Sequence, residues 1–119
     1  MGVTGIGGIF FRARDPDSLK TWYATHLGVG TGDYGTWNPQ AGPSVFAPFA
    51  ADTDYFPPDR QYMLNLRVEQ LDALLDALRS AGIAVITKDE WNDPSIGRFA
   101  RIHDPEGNPV ELWEPPVEA

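Results

Sequence analysis

The sequence predicts an α+β domain made of two tandem strand–helix–strand–strand–strand (βαβββ) modules. Three observations predict it. Strand-like alternation opens each half, a helix with a glycine stop follows in each, and the two sets recur at an offset of roughly 54 to 55 residues. At 119 residues the chain is long enough for one core and too short for two independent domains. The modules therefore read as halves of a single domain over 1–119: about 5–50, a linker of about 50–60, and about 61–115.

Segment 8–14 alternates, with Ile9, Phe11 and Ala13 on one face and Phe10, Arg12 and Arg14 on the other. Asp15-Pro16 marks a helix start, an acidic cap followed by proline at the first helical position. Leu19, Trp22, Tyr23, His26 and Leu27 follow at helical spacing, and Gly28 stops the run. Short strands are expected around Tyr34, at Thr36-Trp37 and over 44–46. The stretch 49–60, rich in Asp, Pro and aromatics, is the linker; Tyr55 and Phe56 either lid a pocket or pack the linker down. In the second half, 62–68 alternates as a strand, and Leu71, Leu74, Leu75 and Leu78 mark a helix stopped by Gly82. Further strands are expected over 83–87, 98–103 and 109–113, the last two joined by the hairpin turn Asp104-Pro105-Glu106-Gly107-Asn108. Arg12-Ala13 falls on Arg67-Val68, and Leu27-Gly28-Val29 on Ala81-Gly82-Ile83, as a duplicated module requires; a chance recurrence of strand and helix is the competing explanation.

Composition excludes several classes of function. The chain has no cysteine, so disulfides and thiolate metal sites are out. A net charge of −8, with few and scattered basic residues, opposes binding to nucleic acid or anionic membranes. That charge serves solubility, or draws in a cationic ligand. No apolar run reaches the roughly 20 residues that cross a bilayer. The start of the chain has no positive region before an apolar one, so a cytoplasmic location is expected by default. No Walker or Rossmann phosphate loop, helical metal-ligand pair or nucleophile elbow is present.

Gly5-Ile6-Gly7-Gly8-Ile9-Phe10-Phe11, then Asp15-Pro16 and Trp22-Tyr23 before Leu27-Gly28, resembles the first module of the glyoxalase/bleomycin resistance protein/dioxygenase (vicinal oxygen chelate) superfamily. Leu66-Arg67-Val68 through Leu71-Asp72-Ala73-Leu74, with Ala81-Gly82-Ile83, resembles the second, and the closing segment 104–113 is the most specific piece. The resemblance implies a curved mixed sheet around a cavity, and a homodimer. It also implies a divalent metal on the concave face, held by a His on each module's opening strand and an acidic residue on the last. Those places fall on Gly8, Met63 and Glu111, and only the last is a suitable ligand. A degenerate site with no metal and no cofactor is therefore expected, with a divalent ion disfavoured.

Strand parity places Ala100, Ile102, Val110 and Leu112 towards the helices, and Phe99, Arg101, Glu111 and Trp113 in the cavity. The same parity adds Phe10, Arg12, Met63, Asn65 and Arg67 as ligand-binding candidates. Arg101 should face Glu111 directly, forming either a neutralising ion pair or a charged pair that contacts a substrate. Arg12 and Arg67, equivalent under the repeat, either recognise an organic anion or pair with surface carboxylates. His26 reads as a packed helix residue and His103 as turn packing, or as a general base if it faces inward. Two functions follow. One is metal-independent binding of a small molecule by the inward residues, with Trp37 and Phe46 as further aromatic walls. The other is a glyoxalase-like lyase or isomerase using Glu111 as catalytic base, metal-dependent only if ligands come from elsewhere.

Overall fold

In the computed structural model, which describes residues 1–117, the chain has the expected α+β fold. The last two residues of the expected 1–119 domain lie outside the described part. Helix α1 spans Pro16–Leu27 and helix α2 Leu71–Ser80. The strands are β1 (Leu64–Arg67), β2 (Asn92–Asp93), β3 (Gly97–His103) and β4 (Pro109–Glu114). They form an open curved sheet in the order β1-β4-β3-β2, with β1 parallel to β4 and the other neighbours antiparallel.

Both helices are punctuated as their sequences demand, though by different partners. The Asp15 carboxylate accepts from the Ser18 amide at 3.1 Å, and Gly28 closes α1 at φ 67°, where a side chain would be strained. The second helix has no such local cap. Gln70 sits at φ 53° without a side-chain bond, and the Leu71 amide instead donates to the Glu114 carboxylate at 2.9 Å. Arg98 joins this end, bonding the Asp72 carboxylate at 2.6 and 3.2 Å and lying 3.6 Å from Glu114.

Leu71, Leu75 and Leu78 recur one helical turn apart, so one stripe of α2 packs on the sheet. Leu19 and Tyr23 of α1 meet it there. From the strands come Leu66, Ala100, Ile102, Val110 and Leu112, the side chains that alternation assigned to the helices. The β3–β4 turn is tied by the buried Asp104, only 4% exposed. Its carboxylate accepts from the Glu106 and Asn108 amides, the Asn108 side chain and, at 2.7 Å, the Tyr23 hydroxyl. Glu106 accepts from the Arg14 and Asp15 amides, so the same turn seats the start of α1.

The expected strands of the first half are corrected. Among the described residues every strand lies in the second half, and 8–14, 36–37 and 44–46 have no ladder partner. Tyr34 lies in a single 3-10 turn, Asp33–Gly35. Alternation marks a face but names no neighbour to pair with. Over 30–60, left-handed Gly30 and Gly35 and five prolines, which lack an N–H, break any ladder before it lengthens. The expected strand 83–87 shrinks to one bridge, where Ile86 and Arg101 exchange two 2.9 Å backbone bonds. The helices keep the offset of the repeat, since α1 leads to Gly28 and α2 to Gly82, both left-handed.

Tyr23→Phe should lower stability by about 1.5–3 kcal/mol, the worth of a buried bond to a charged acceptor. The urea midpoint falls while the slope of the transition is unchanged.

Candidate functional site

The face of the sheet opposite the helices carries two rows of side chains. In one, Asn65, Glu111 and Arg101 stand side by side across β1, β4 and β3; in the other, Arg67, Trp113 and Phe99 do. Parity within a tight hairpin predicted the facing of Arg101 and Glu111 and the shared face, while the alignment of Asn65 and Arg67 comes from the parallel pairing of β1 with β4. Phe99 and Trp113 stack with ring planes 8° apart and centroids 6.3 Å apart. The Trp113 indole donates to the Ile96 carbonyl at 3.0 Å. Gly97 (φ 124°) leaves room for this: a β-carbon there would collide with the Glu114 carbonyl and lie 2.8 Å from the indole nitrogen.

Arg101 is 6% exposed and Glu111 7%, directly opposite each other as expected. The ion pair expected between them does not form among the described residues. Tyr55 joins them instead. Its hydroxyl donates to one Glu111 oxygen while the Asn65 amide donates to the other at 2.7 Å. Its carbonyl accepts from Arg101 Nη2 at 2.9 Å, and its ring lies 5.0 Å from the guanidinium carbon. Trp91, in the 3-10 turn Asp89–Trp91, presents a second ring 5.6 Å from that carbon. Arg101 Nε, although buried, has no hydrogen-bond acceptor. Burial and then the Glu111 bond push the Tyr55 phenol up to about 12.

The other candidates are dispersed. Met63 is half-buried just before β1. Arg67 is taken up by the loop before it, donating to the Gln40 and Pro43 carbonyls, with Gly42 leaving room for the guanidinium. Phe10 is 95% exposed, and Arg12 is exposed on the same unpaired segment, so neither joins the rows and the paired arginines of the repeat are corrected. Trp37 and Phe46 are exposed too. His26 packs on Trp22, and the charged form of His103 is disfavoured by burial and by Arg101. An open groove of about 450 Å³ adjoins the Phe99 edge, lined by Asp72, Arg79, Lys88, Trp91 and Arg98 among others. Tyr55 was marked only by its aromatic character in a linker, without a partner, because its segment has no periodicity; Trp91 is the participant that sequence reasoning missed.

A family model described as a glyoxalase-like domain matches residues 8–113. The chain belongs to that family. The glyoxalase-like domain is 26% identical to TnmS3, an antibiotic binding protein from Streptomyces sp. CB03234, with 97% of this chain and 98% of that one covered at a TM-score of 0.61. A glyoxalase/bleomycin resistance protein from the same organism is 27% identical over 83% of this chain and 90% of that one, at a TM-score of 0.49. No curated protein matches the glyoxalase-like chain. Among its described residues no three His, Cys, Asp or Glu side chains gather as a metal site, and no helix is long and apolar enough to cross a membrane.

The Tyr55 phenol has its own signature in pH. Because its pKa is raised in the folded state, its contribution to stability is complete below about pH 10, the ordinary tyrosine range. That contribution is lost as pH rises towards the value near 12. Urea midpoints at pH 9 and pH 11 should therefore differ less in Tyr55→Phe than in the wild type. The remaining difference belongs to Tyr23 and Tyr62, which burial and Asp104 shift in the same direction.

Proposed function

We propose that this protein binds a small organic molecule on the open face of β3 and β4, without a metal. The observation that carries this is a pair of buried opposite charges, Arg101 and Glu111, facing each other without pairing, the arginine holding a donor with no acceptor. A buried charge is stable only when it is matched, and a ligand with the right oxygens would complete the match. Similarity over nearly the full length to an antibiotic binding protein supports the same reading.

The donor set does not fit a divalent ion. Glu111 is the one carboxylate of the site, both its oxygens already accept hydrogen bonds, and a guanidinium stands opposite. Gly8 and Met63 supply no imidazole where the family resemblance asks for one. The lyase or isomerase alternative needs Glu111 as a free base, and those two bonds weaken it.

Titration calorimetry tests the reading. Aryl carboxylic acids should release heat with the wild type, equally with and without EDTA, and none with Arg101→Met. Cationic glycopeptide antibiotics should release none. Binding that requires an added divalent metal would refute the proposal, as would turnover that disappears in Glu111→Gln.

We also infer a homodimer. Phe46 is 92% exposed, Phe10 nearly fully so, and Ile6 and Val45 share the unpaired first half; apolar surface on this scale ordinarily meets a partner. Sedimentation should give twice the 13.1 kDa chain mass, and Phe46→Asp should shift it to the monomer. A monomeric wild type would refute the dimer.

A further inference from the structure

We propose that Tyr55 is a displaceable stand-in for the ligand, and that the ligand is a hydroxylated aryl carboxylate. The proposal rests on the binding reading above and deepens it. Tyr55 makes three contacts with the two charged residues: its phenol donates to Glu111, its ring lies over the Arg101 guanidinium, and its carbonyl oxygen accepts from Arg101 Nη2. A molecule with a phenol at one end and an oxygen acceptor at the other would make the same three.

What Tyr55 leaves undone identifies that acceptor. Nε lies on the same edge of the guanidinium as Nη2, and Nε is the buried donor without a partner. A peptide carbonyl brings one oxygen and serves one of the two donors. A carboxylate brings two, side by side, and satisfies the edge in a bidentate fork. The ligand thus gains a bond that the tyrosine cannot make. The two charges set polarity: the phenol goes to the carboxylate and the acid to the guanidinium.

The segment that carries Tyr55 is free to leave. Residues 49–60 contain no helix or strand, and their internal backbone bonds are two turns, Thr53 to Ala50 and Arg60 to Pro57, each 3.0 Å. Arg60 pins the far end to the Glu106 carbonyl at 2.9 Å. Withdrawing Tyr55 breaks no strand ladder. Phe49 and Phe56, packed together at 5.7 Å, go with it, while Trp91 stays as the ring beneath the guanidinium.

The probe is 3-(4-hydroxyphenyl)propionate, which is tyrosine without its amine, its carboxylate where the Tyr55 carbonyl stands. Calorimetry on the wild type and on Tyr55→Gly, with folding checked by circular dichroism, should show the variant binding about tenfold tighter or more, since a competing occupant no longer holds the site closed. 3-Phenylpropionate, lacking the hydroxyl, and tyramine, lacking the acid, should each bind Tyr55→Gly more weakly than the probe does. In the wild type the probe should accelerate chymotrypsin cleavage after Tyr55, a readout independent of the variant's folding. Equal affinities for the two proteins, or protection of 49–60 by the probe, would overturn displacement and leave the binding reading intact. Binding of other aryl acids but not of the probe, even by Tyr55→Gly, would overturn the ligand class alone. Absence of any binding in the calorimetric panel as well would remove both.

Discussion

The carboxylate of Asp104 organises this molecule. Buried in the β3–β4 turn, it accepts two amides and a side-chain amide from the turn itself and a hydroxyl from α1. The local bonds close the hairpin in one register, and the bond to Tyr23 fixes a helix against it. Everything on the two strands inherits that register, because a slip of one residue would exchange the faces. Leu112 and Ile102 would then meet solvent and linker, and Arg101 and Glu111 would enter the leucine core, where an unmatched charge costs several kcal/mol.

What was legible in the sequence followed from local chemistry. The turn residues 104–108, the alternation on either side, the cap at Asp15 and the glycine stops each act within a few residues, so 98–113 could be read to the level of which side chain faces which. Parity put Asn65 on the same face of β1, but its place beside Glu111 comes from a parallel pairing that no local signal announces. Distant partners escaped. The cap of α2 is Glu114, far along the chain, and nothing near Gln70 announces it. The partners of Arg67 are backbone carbonyls, which every residue offers and no sequence distinguishes. Tyr55 reaches the site from a stretch without a period. The strands expected in the first half need a neighbour that alternation cannot supply.

Family and site answer separate questions. Membership of the glyoxalase-like family explains the open sheet and the helix on its back, and that architecture hosts unrelated chemistries. The distinguishing chemistry lies in one row, where an amide, a carboxylate and a guanidinium stand across three strands beneath an aromatic strap. The carboxylate in that row accepts from Tyr55 and Asn65 and faces the Arg101 guanidinium.

The parallel pairing of β1 with β4 has a kinetic side. The hairpin joins His103 to Pro109 across a short turn, whereas β1 brings Leu64 to Val110 with α2 and the whole of β3 in between. Loop-closure entropy makes the second ring costlier by about 2 kcal/mol. The hairpin therefore condenses first and offers the template on which the other strand is laid. That strand brings Asn65 to the charged row and Leu66 to the core together, so both faces of the sheet are completed in the same step.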